Sequence, residues 1–255
     1  GQLEGTLPIL SIISYGSAAL AIGRMLHLYH LPKLKVLVDE HMNPALHKVI
    51  ENSHCEIFQV DLSKKALNPK EILALTKNKQ GFDLTSNQGI GVEIGNYDWF
   101  SYEILNSSPA YCFIPFGTGT IFAKLLEINK VELEYQRKDP RFTGNTEVLR
   151  HCNFLGATTK NSHSKADKLF SFHLPFPRID NETIRFYKKS GFCGKKSGIY
   201  FLKEKYLDKA LSIAKSQNIA CEPSGIAGLA LLLQMRDKIP KDKKILIINT
   251  GKTRI

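Results

Sequence analysis

Ala110-Tyr111-Cys112-Phe113-Ile114-Pro115-Phe116-Gly117-Thr118-Gly119-Thr120-Ile121-Phe122-Ala123 is the stretch from which the rest of the chain is read. An apolar, β-prone run reaches a proline, turns through two glycines and two threonines, and leaves as the start of an apolar helix. A strand that feeds a helix N-terminus through a Gly-rich turn is a ready anion site, because the first N–H groups of a helix have no internal partner and its dipole favours negative charge. Gly117 and Gly119 let the backbone approach a phosphate, and Thr118 and Thr120 add hydroxyl donors. Read alone, the same residues also describe an ordinary tight turn between a strand and a helix.

Working outward, residues 7–13 form an apolar, β-branched run that stops at Ser14-Tyr15-Gly16-Ser17, and residues 18–26 read as a buried helix. This is a second strand–turn–helix junction that could bind an anion, with Ser14 and Ser17 as hydroxyl donors and caps. Strands are expected at 35–38 and 56–60, with helices at 43–52 and 68–77, the latter with Pro69 in its first turn. Residues 82–86 read as extended, 95–105 as a helix entering the 110–114 strand, and 121–128 as the helix leaving it. From 131 to about 178 the pattern loosens into loops around one strand. Beyond it come a strand at 198–202, helices at 207–217 and from 222 onward, and a buried strand at 244–249. Strand–helix alternation of this kind makes a parallel sheet. The chain shows no internal repeat and no low-complexity segment.

The chain has 255 residues, 43% hydrophobic and 23% charged, which suits a globular α/β protein with a substantial core. No apolar run is long enough to span a bilayer, so no membrane partner is expected. Cys55, Cys112, Cys152, Cys193 and Cys221 are odd in number and carry no C-x-x-C spacing. A disulfide framework and a zinc site are therefore poorly supported, and a reducing cytoplasm is the expected compartment. The net charge of +11 comes from scattered lysines without an aromatic–basic signature. It suits anionic small molecules better than nucleic acid.

Three motifs, in this order, resemble those of the fold-type-II pyridoxal 5′-phosphate enzymes, the group of threonine synthase, serine/threonine dehydratase, cysteine synthase and the tryptophan synthase β subunit. Ser14-Tyr15-Gly16-Ser17-Ala18-Ala19 stands against S-x-G-N-A-A. Pro115-Phe116-Gly117-Thr118-Gly119-Thr120 stands against the P-x-G-x-G-G phosphate loop. Glu222-Pro223-Ser224-Gly225-Ile226-Ala227 stands against E-P-s-x-A-A and is followed by Ile247-Ile248-Asn249-Thr250-Gly251. The strand ending in T-G is most similar to threonine synthases and dehydratases.

The resemblance implies a cofactor, pyridoxal 5′-phosphate, with its phosphate held by Gly117, Thr118, Gly119 and Thr120. Ser17 would take the place of the Asn that contacts the ring hydroxyl, and Thr250 would meet the pyridine nitrogen. Ser14, Tyr15 and Gly16 would receive the substrate carboxylate. The chain departs from the pattern at Ser17, which lacks the amide donor, and at Thr120, which replaces a glycine. The family's Schiff-base lysine lies upstream of the S-x-G-N turn in an S/T-F-K motif, and no Lys precedes Lys33 here. Two expectations follow: a further N-terminal segment ahead of Gly1, or a protein without that lysine. No catalytic residue is therefore assigned within the chain.

The implied architecture is α/β, with twisted, mainly parallel sheets and flanking helices in two regions. Residues 14–95 would form the smaller, Rossmann-like region carrying the substrate turn, and residues 1–13 plus 96–255 the larger cofactor-binding one. The implied function is a threonine-synthase-like lyase of amino-acid metabolism, working by β/γ-elimination or replacement on an amino-acid substrate such as O-phosphohomoserine, in a homodimer. The alternative is a degenerate homologue without Schiff-base chemistry that binds a phosphate ligand or a protein partner; a nucleotide-binding α/β domain is a third reading. Gly191-Phe192-Cys193-Gly194-Lys195-Lys196-Ser197-Gly198 approaches a P-loop but fails it, since Lys189 stands where the first glycine is required and Lys196 where Ser or Thr is. His27, His30, His41 and His47 lack acidic or cysteine partners at metal-ligand spacing.

Overall fold

The computed structural model describes residues 7–85, 98–138, 150–160, 163–170 and 179–252. These divide into two compact units, one of residues 7–85 and the other of the described residues from 98 to 252. Each contains one four-stranded parallel sheet, in the orders β3-β2-β1-β4 and β7-β6-β5-β8.

In the first unit, β1 (Leu10–Ile13) lies between β2 (Leu34–Asp39) and β4 (Phe82–Asp83), and β3 (Cys55–Val60) pairs with β2. Successive side chains on a strand point to opposite faces. Accordingly Leu34, Val36 and Val38 join the core under α1 (Ser17–Leu28) and α2 (Pro44–Glu51), whereas Leu37 packs with Ile72 of α3 (Pro69–Leu75) on the other face. The helices start where the sequence supplies caps. Asn43 Oδ1 accepts from Ala45 N, and Asn68 forms a reciprocal capping box with Glu71.

Placing β1 here corrects the expected division, in which residues 1–13 belonged to the larger region. The strand hydrogen-bonds to β2 and β4 along its length, and the buried Ser11 hydroxyl meets Thr76 Oγ1 at 2.8 Å and accepts from Asn78 Nδ2 at 2.9 Å. These partners lie more than sixty residues away, so no local signal could assign the strand.

In the second unit, β5 (Tyr111–Pro115) is the central strand, flanked by β6 (Asn153–Thr158) and β8 (Ile245–Ile247), with β7 (Gly198–Phe201) beyond β6. Every residue of β5 is buried, as expected of a parallel strand covered on both faces. Cys112 and Ile114 face the core that holds Phe122, Leu125 and Leu126 of α5 (Thr120–Lys138) and Ile184 of α6 (Asn181–Lys189). Tyr111 and Phe113 face the opposite core with Leu207 of α7 (Glu204–Ser216) and Ala227 and Leu231 of α8 (Ala227–Met235). The same core of α5 and α6 receives Ile104 and Leu105 from α4 (Asp98–Asn106). Gly228 lets α8 lie directly on β5, since a Cβ there would come within 2.7 Å of the Phe113 carbonyl oxygen.

The expected strands are present within a few residues. Helix α5 runs well past its expected end at 128, because Leu133 continues its apolar face into the core. Helix α6 was not expected, although Asp180 Oδ1 caps it by accepting from Thr183 N. The glycine-rich part of the 86–97 stretch and residues 171–178 lie outside the described residues.

Candidate functional site

Phe116 leaves β5, and its N–H still donates to the Ala157 carbonyl of β6. Its buried ring then folds back under the loop, edge-on to Phe122 at 5.5 Å between centroids. A Cβ on Gly119 would come within 2.8 Å of that ring, and one on Gly156 within 2.9 Å. Gly119 also sits at φ +78°, a left-handed conformation that favours glycine. A Cβ on Gly117 would stand 3.3 Å from the Lys168 carbonyl oxygen. The glycines of this loop thus serve packing before any ligand arrives.

Helix α5 begins at Thr120, and the Gly119 carbonyl accepts its first intrahelical bond from Ala123 N. Among the described residues, the backbone N–H groups from Gly117 through Phe122 find no hydrogen-bond partner. Beside them the Thr118 and Thr120 hydroxyls lie 3.0 Å apart. Orphaned amides at the start of a nineteen-residue helix, flanked by two hydroxyls, fit a phosphate by donor chemistry and by dipole.

Two further motif segments are laced together at the same end of the sheet. Glu222 N donates to the Gly251 carbonyl at 3.1 Å, Thr250 N to the Gly225 carbonyl at 3.2 Å, and Gly251 N to Asn249 Oδ1 at 2.9 Å. Gly225 is required by this lacing, since a Cβ would fall 2.3 Å from the Gly251 oxygen. Thr250 is exposed, and among the described residues its hydroxyl has no partner, so it can serve a ring nitrogen.

The link to the phosphate-loop side is Lys168, whose ammonium donates to Glu222 Oε2 at 2.7 Å while its carbonyl borders Gly117. The adjoining Leu169 carbonyl is fixed by the Thr158 hydroxyl at 3.1 Å. No sequence signal pairs Lys168 with Glu222. The two residues are fifty-four positions apart and share no motif.

The Ser14–Ser17 turn belongs to the first unit. Ser14 is 4% exposed, and its Oγ accepts from both Gly16 N and Ala19 N at 3.1 Å. The hydroxyl thereby caps α1, and the Gly16 amide offered by the sequence to a carboxylate is already spent on it. The Ser14 O–H itself remains a donor. Gly16 takes φ +138°, and a Cβ would come within 3.2 Å of the Leu46 side chain.

The Gly191–Gly198 loop is not a phosphate cradle. Gly194 N donates to the Cys152 carbonyl, Lys196 N to Asn153 Oδ1 and Ser197 N to the Gly194 carbonyl. It also sits at the N-terminal ends of the strands, away from the Gly117 loop. Among the described residues no group of His, Cys, Asp and Glu side chains could hold a metal, and no helix is long and apolar enough to cross a membrane. All five cysteines are free thiols.

No protein-family model matches the chain, and no curated protein sequence matches it. Solved structures do. A threonine deaminase from T.th. superposes with a TM-score of 0.63 at 15% identity, over 99% of this chain and 80% of that one. A pyridoxal 5′-phosphate-dependent aspartate racemase gives 0.68 at 13% identity, over 99% of this chain and 75% of its own. A cysteine synthase from Entamoeba histolytica gives 0.63 at 13% identity, over 99% and 70%. The chain has the fold of the fold-type-II pyridoxal 5′-phosphate enzymes.

Proposed function

We propose that this chain binds pyridoxal 5′-phosphate and acts as a lyase on an amino-acid substrate, by elimination or replacement at the β or γ carbon. The observation that carries the reading is the convergence in the second unit of the open amide row of Gly117–Phe122, the Glu222–Gly225 turn and the Thr250 hydroxyl. Bound there, the cofactor would supply an electron sink for the departing group. The chain's own part is placement. Gly117, Thr118, Gly119 and Thr120 would hold the phosphate, and Thr250 would offer the ring nitrogen a neutral hydroxyl. Ser17 would stand at the ring hydroxyl, with Ser14, Tyr15 and Gly16 at the substrate carboxylate. The finer reading is a threonine-synthase-like activity on O-phosphohomoserine, supported by the chain's net charge of +11.

A second reading is a homologue that holds a phosphate ligand without amino-acid chemistry. It is favoured by one observation: Ser14 Oγ already engages the Gly16 and Ala19 amides, which leaves the turn fewer donors for a carboxylate.

One experiment separates the two readings. Purified protein is mixed with pyridoxal 5′-phosphate, its visible spectrum recorded, and the mixture reduced with borohydride for intact mass and peptide mapping. A shifted band and a mass gain at one lysine support the lyase, and release of phosphate from O-phosphohomoserine supports the finer reading. Cofactor binding that reduction does not fix supports the second reading. No binding, or binding unchanged by Thr118→Ala with Thr120→Ala, overturns both.

A further inference from the structure

The N-terminal ends of β5–β8 carry a groove of about 650 Å³, lined by Ala110, Tyr111, His151, Gly194, Lys195 and Lys243 among others. Cavities of roughly 300–1,000 Å³ are the size that takes small organic ligands. A five-residue strand such as β5 spans about 16 Å, so this groove and the Gly117 loop occupy opposite edges of one sheet.

Its floor is built and fixed. Asn153 Nδ2 donates to the Ala110 and His151 carbonyls, and its Oδ1 accepts from Lys196 N. The Lys196 ammonium donates to Tyr111 Oη at 3.2 Å and the Lys238 carbonyl at 2.7 Å, and lies 5.5 Å over the Tyr111 ring. The Lys196 carbonyl in turn accepts from Tyr200 Oη at 2.6 Å. With its amide, carbonyl and ammonium all engaged, Lys196 is a staple rather than a ligand contact.

The rim differs in kind. Lys195 is exposed and, among the described residues, has no ion-pair partner. Lys243 pairs with its neighbour Asp242 at 3.1 Å, but both side chains are at least half exposed, and such pairs hold their members weakly. Among the described residues no carboxylate lines the groove. Lysine stems and Ala110 give the walls carbon surface, so the groove offers positive charge around an apolar trough.

We propose that this groove binds a nucleoside phosphate, with the phosphate on Lys195 and Lys243 and the nucleoside in the trough. The Gly194, Lys196 and Ser197 amides are consumed internally, so recognition of the anion falls to side-chain ammonium groups acting as point charges. The proposal does not depend on what the Gly117 loop binds.

The test is calorimetric titration of the whole protein with AMP, with adenosine and inorganic phosphate as separate arms. The expected result is saturable AMP binding at least about tenfold tighter than either half alone, weakened as salt rises. Lys195→Glu with Lys243→Glu is expected to weaken it at least about tenfold, and Lys195→Ala with Lys243→Ala to weaken it less. Thr118→Ala with Thr120→Ala should leave AMP binding unchanged. Three results overturn the proposal: no AMP binding at millimolar concentration, AMP binding indifferent to both lysine pairs, or AMP binding lost in the Thr118/Thr120 variant. Phosphate binding as tightly as AMP would also overturn it, since the trough would then contribute nothing.

Discussion

The Lys168 ammonium donates to Glu222 Oε2 at 2.7 Å, joining the turn beside the Gly117 loop to the turn that opens α8. Both side chains are about a fifth to a quarter exposed. Exposed ion pairs contribute up to about 1 kcal/mol, while breaking a buried one costs about 3–5 kcal/mol. This pair sits between those limits. A double-mutant cycle of Lys168→Met and Glu222→Gln, read from urea unfolding, should give a coupling of about 1–2 kcal/mol. A coupling near zero would mean that the ion pair contributes nothing to joining the two turns.

Gly119 and Gly225 are glycines for different reasons. At Gly119 both a positive φ and the Phe116 ring oppose a side chain; at Gly225 the opposition is steric, chiefly from the Gly251 carbonyl at 2.3 Å and also from Asn249 Oδ1 at 3.3 Å. Alanine at either position forces a shift in a packed region, a cost of about 1–3 kcal/mol. Gly225→Ala should also loosen the strand end that carries Thr250 and weaken pyridoxal phosphate binding beyond its effect on stability. Thermal unfolding with and without the cofactor separates the two effects.

The charge of Asp180 at the start of α6 gives a pH dependence with a definite sign. The Thr183 amide it caps holds its carboxyl below the ordinary aspartate range, near 3.8. A carboxyl lowered in the folded state contributes stability that is complete above its unfolded value and disappears as pH falls through the folded one. Asp180→Ala should therefore lower the urea midpoint at neutral pH, with the difference from the parent protein closing below about pH 3.8. An unchanged difference in acid would assign the effect to the cap hydrogen bond itself, which a protonated carboxyl still accepts, rather than to the charge.

Cysteine reactivity should follow burial. Burial pushes the Cys112 thiol up to about 12 and the Cys55 thiol up to about 11, and raises Cys152 and Cys193 as well. Only the thiolate attacks, so buried thiols with raised values are inert. In Ellman titration near pH 8, the half-buried Cys221 should react first, and the remaining four thiols only on unfolding. Rapid native-state labelling of Cys193 would show that the Gly191–Gly198 loop opens.

The parts of this fold legible in sequence are those with local signals. The β5 run into Gly117 and Gly119, and the Asn68 capping box, are written in consecutive residues, and the structure follows them. What escaped notice depends on distant partners. Residues 7–13 read as a strand, but their place beside β2 and β4 rests on contacts with Thr76 and Asn78. Lys168 has no motif and is meaningful only through Glu222. Helix α6 did carry a signal in Asp180 and Thr183, masked by a strongly charged face around Ile184. At Ser14 the sequence offered a hydroxyl both as a donor and as a helix cap, and helix α1 claims it as the cap.

That claim yields the last prediction. Ser14 Oγ accepts from the Gly16 and Ala19 amides in a site that is 4% exposed. Ser14→Ala leaves both donors without an acceptor, and a buried unsatisfied donor costs about 1–3 kcal/mol. Ser14→Thr keeps the acceptor and should cost less if the extra methyl is accommodated. The first unit should therefore lose stability in the alanine variant, seen as faster amide exchange along α1, while the second unit's exchange remains unchanged. If Ser14 instead serves mainly a bound carboxylate, Ser14→Ala would leave α1 protected and alter only amino-acid binding. Amide exchange on the free protein distinguishes the cap from the ligand contact without any turnover being measured.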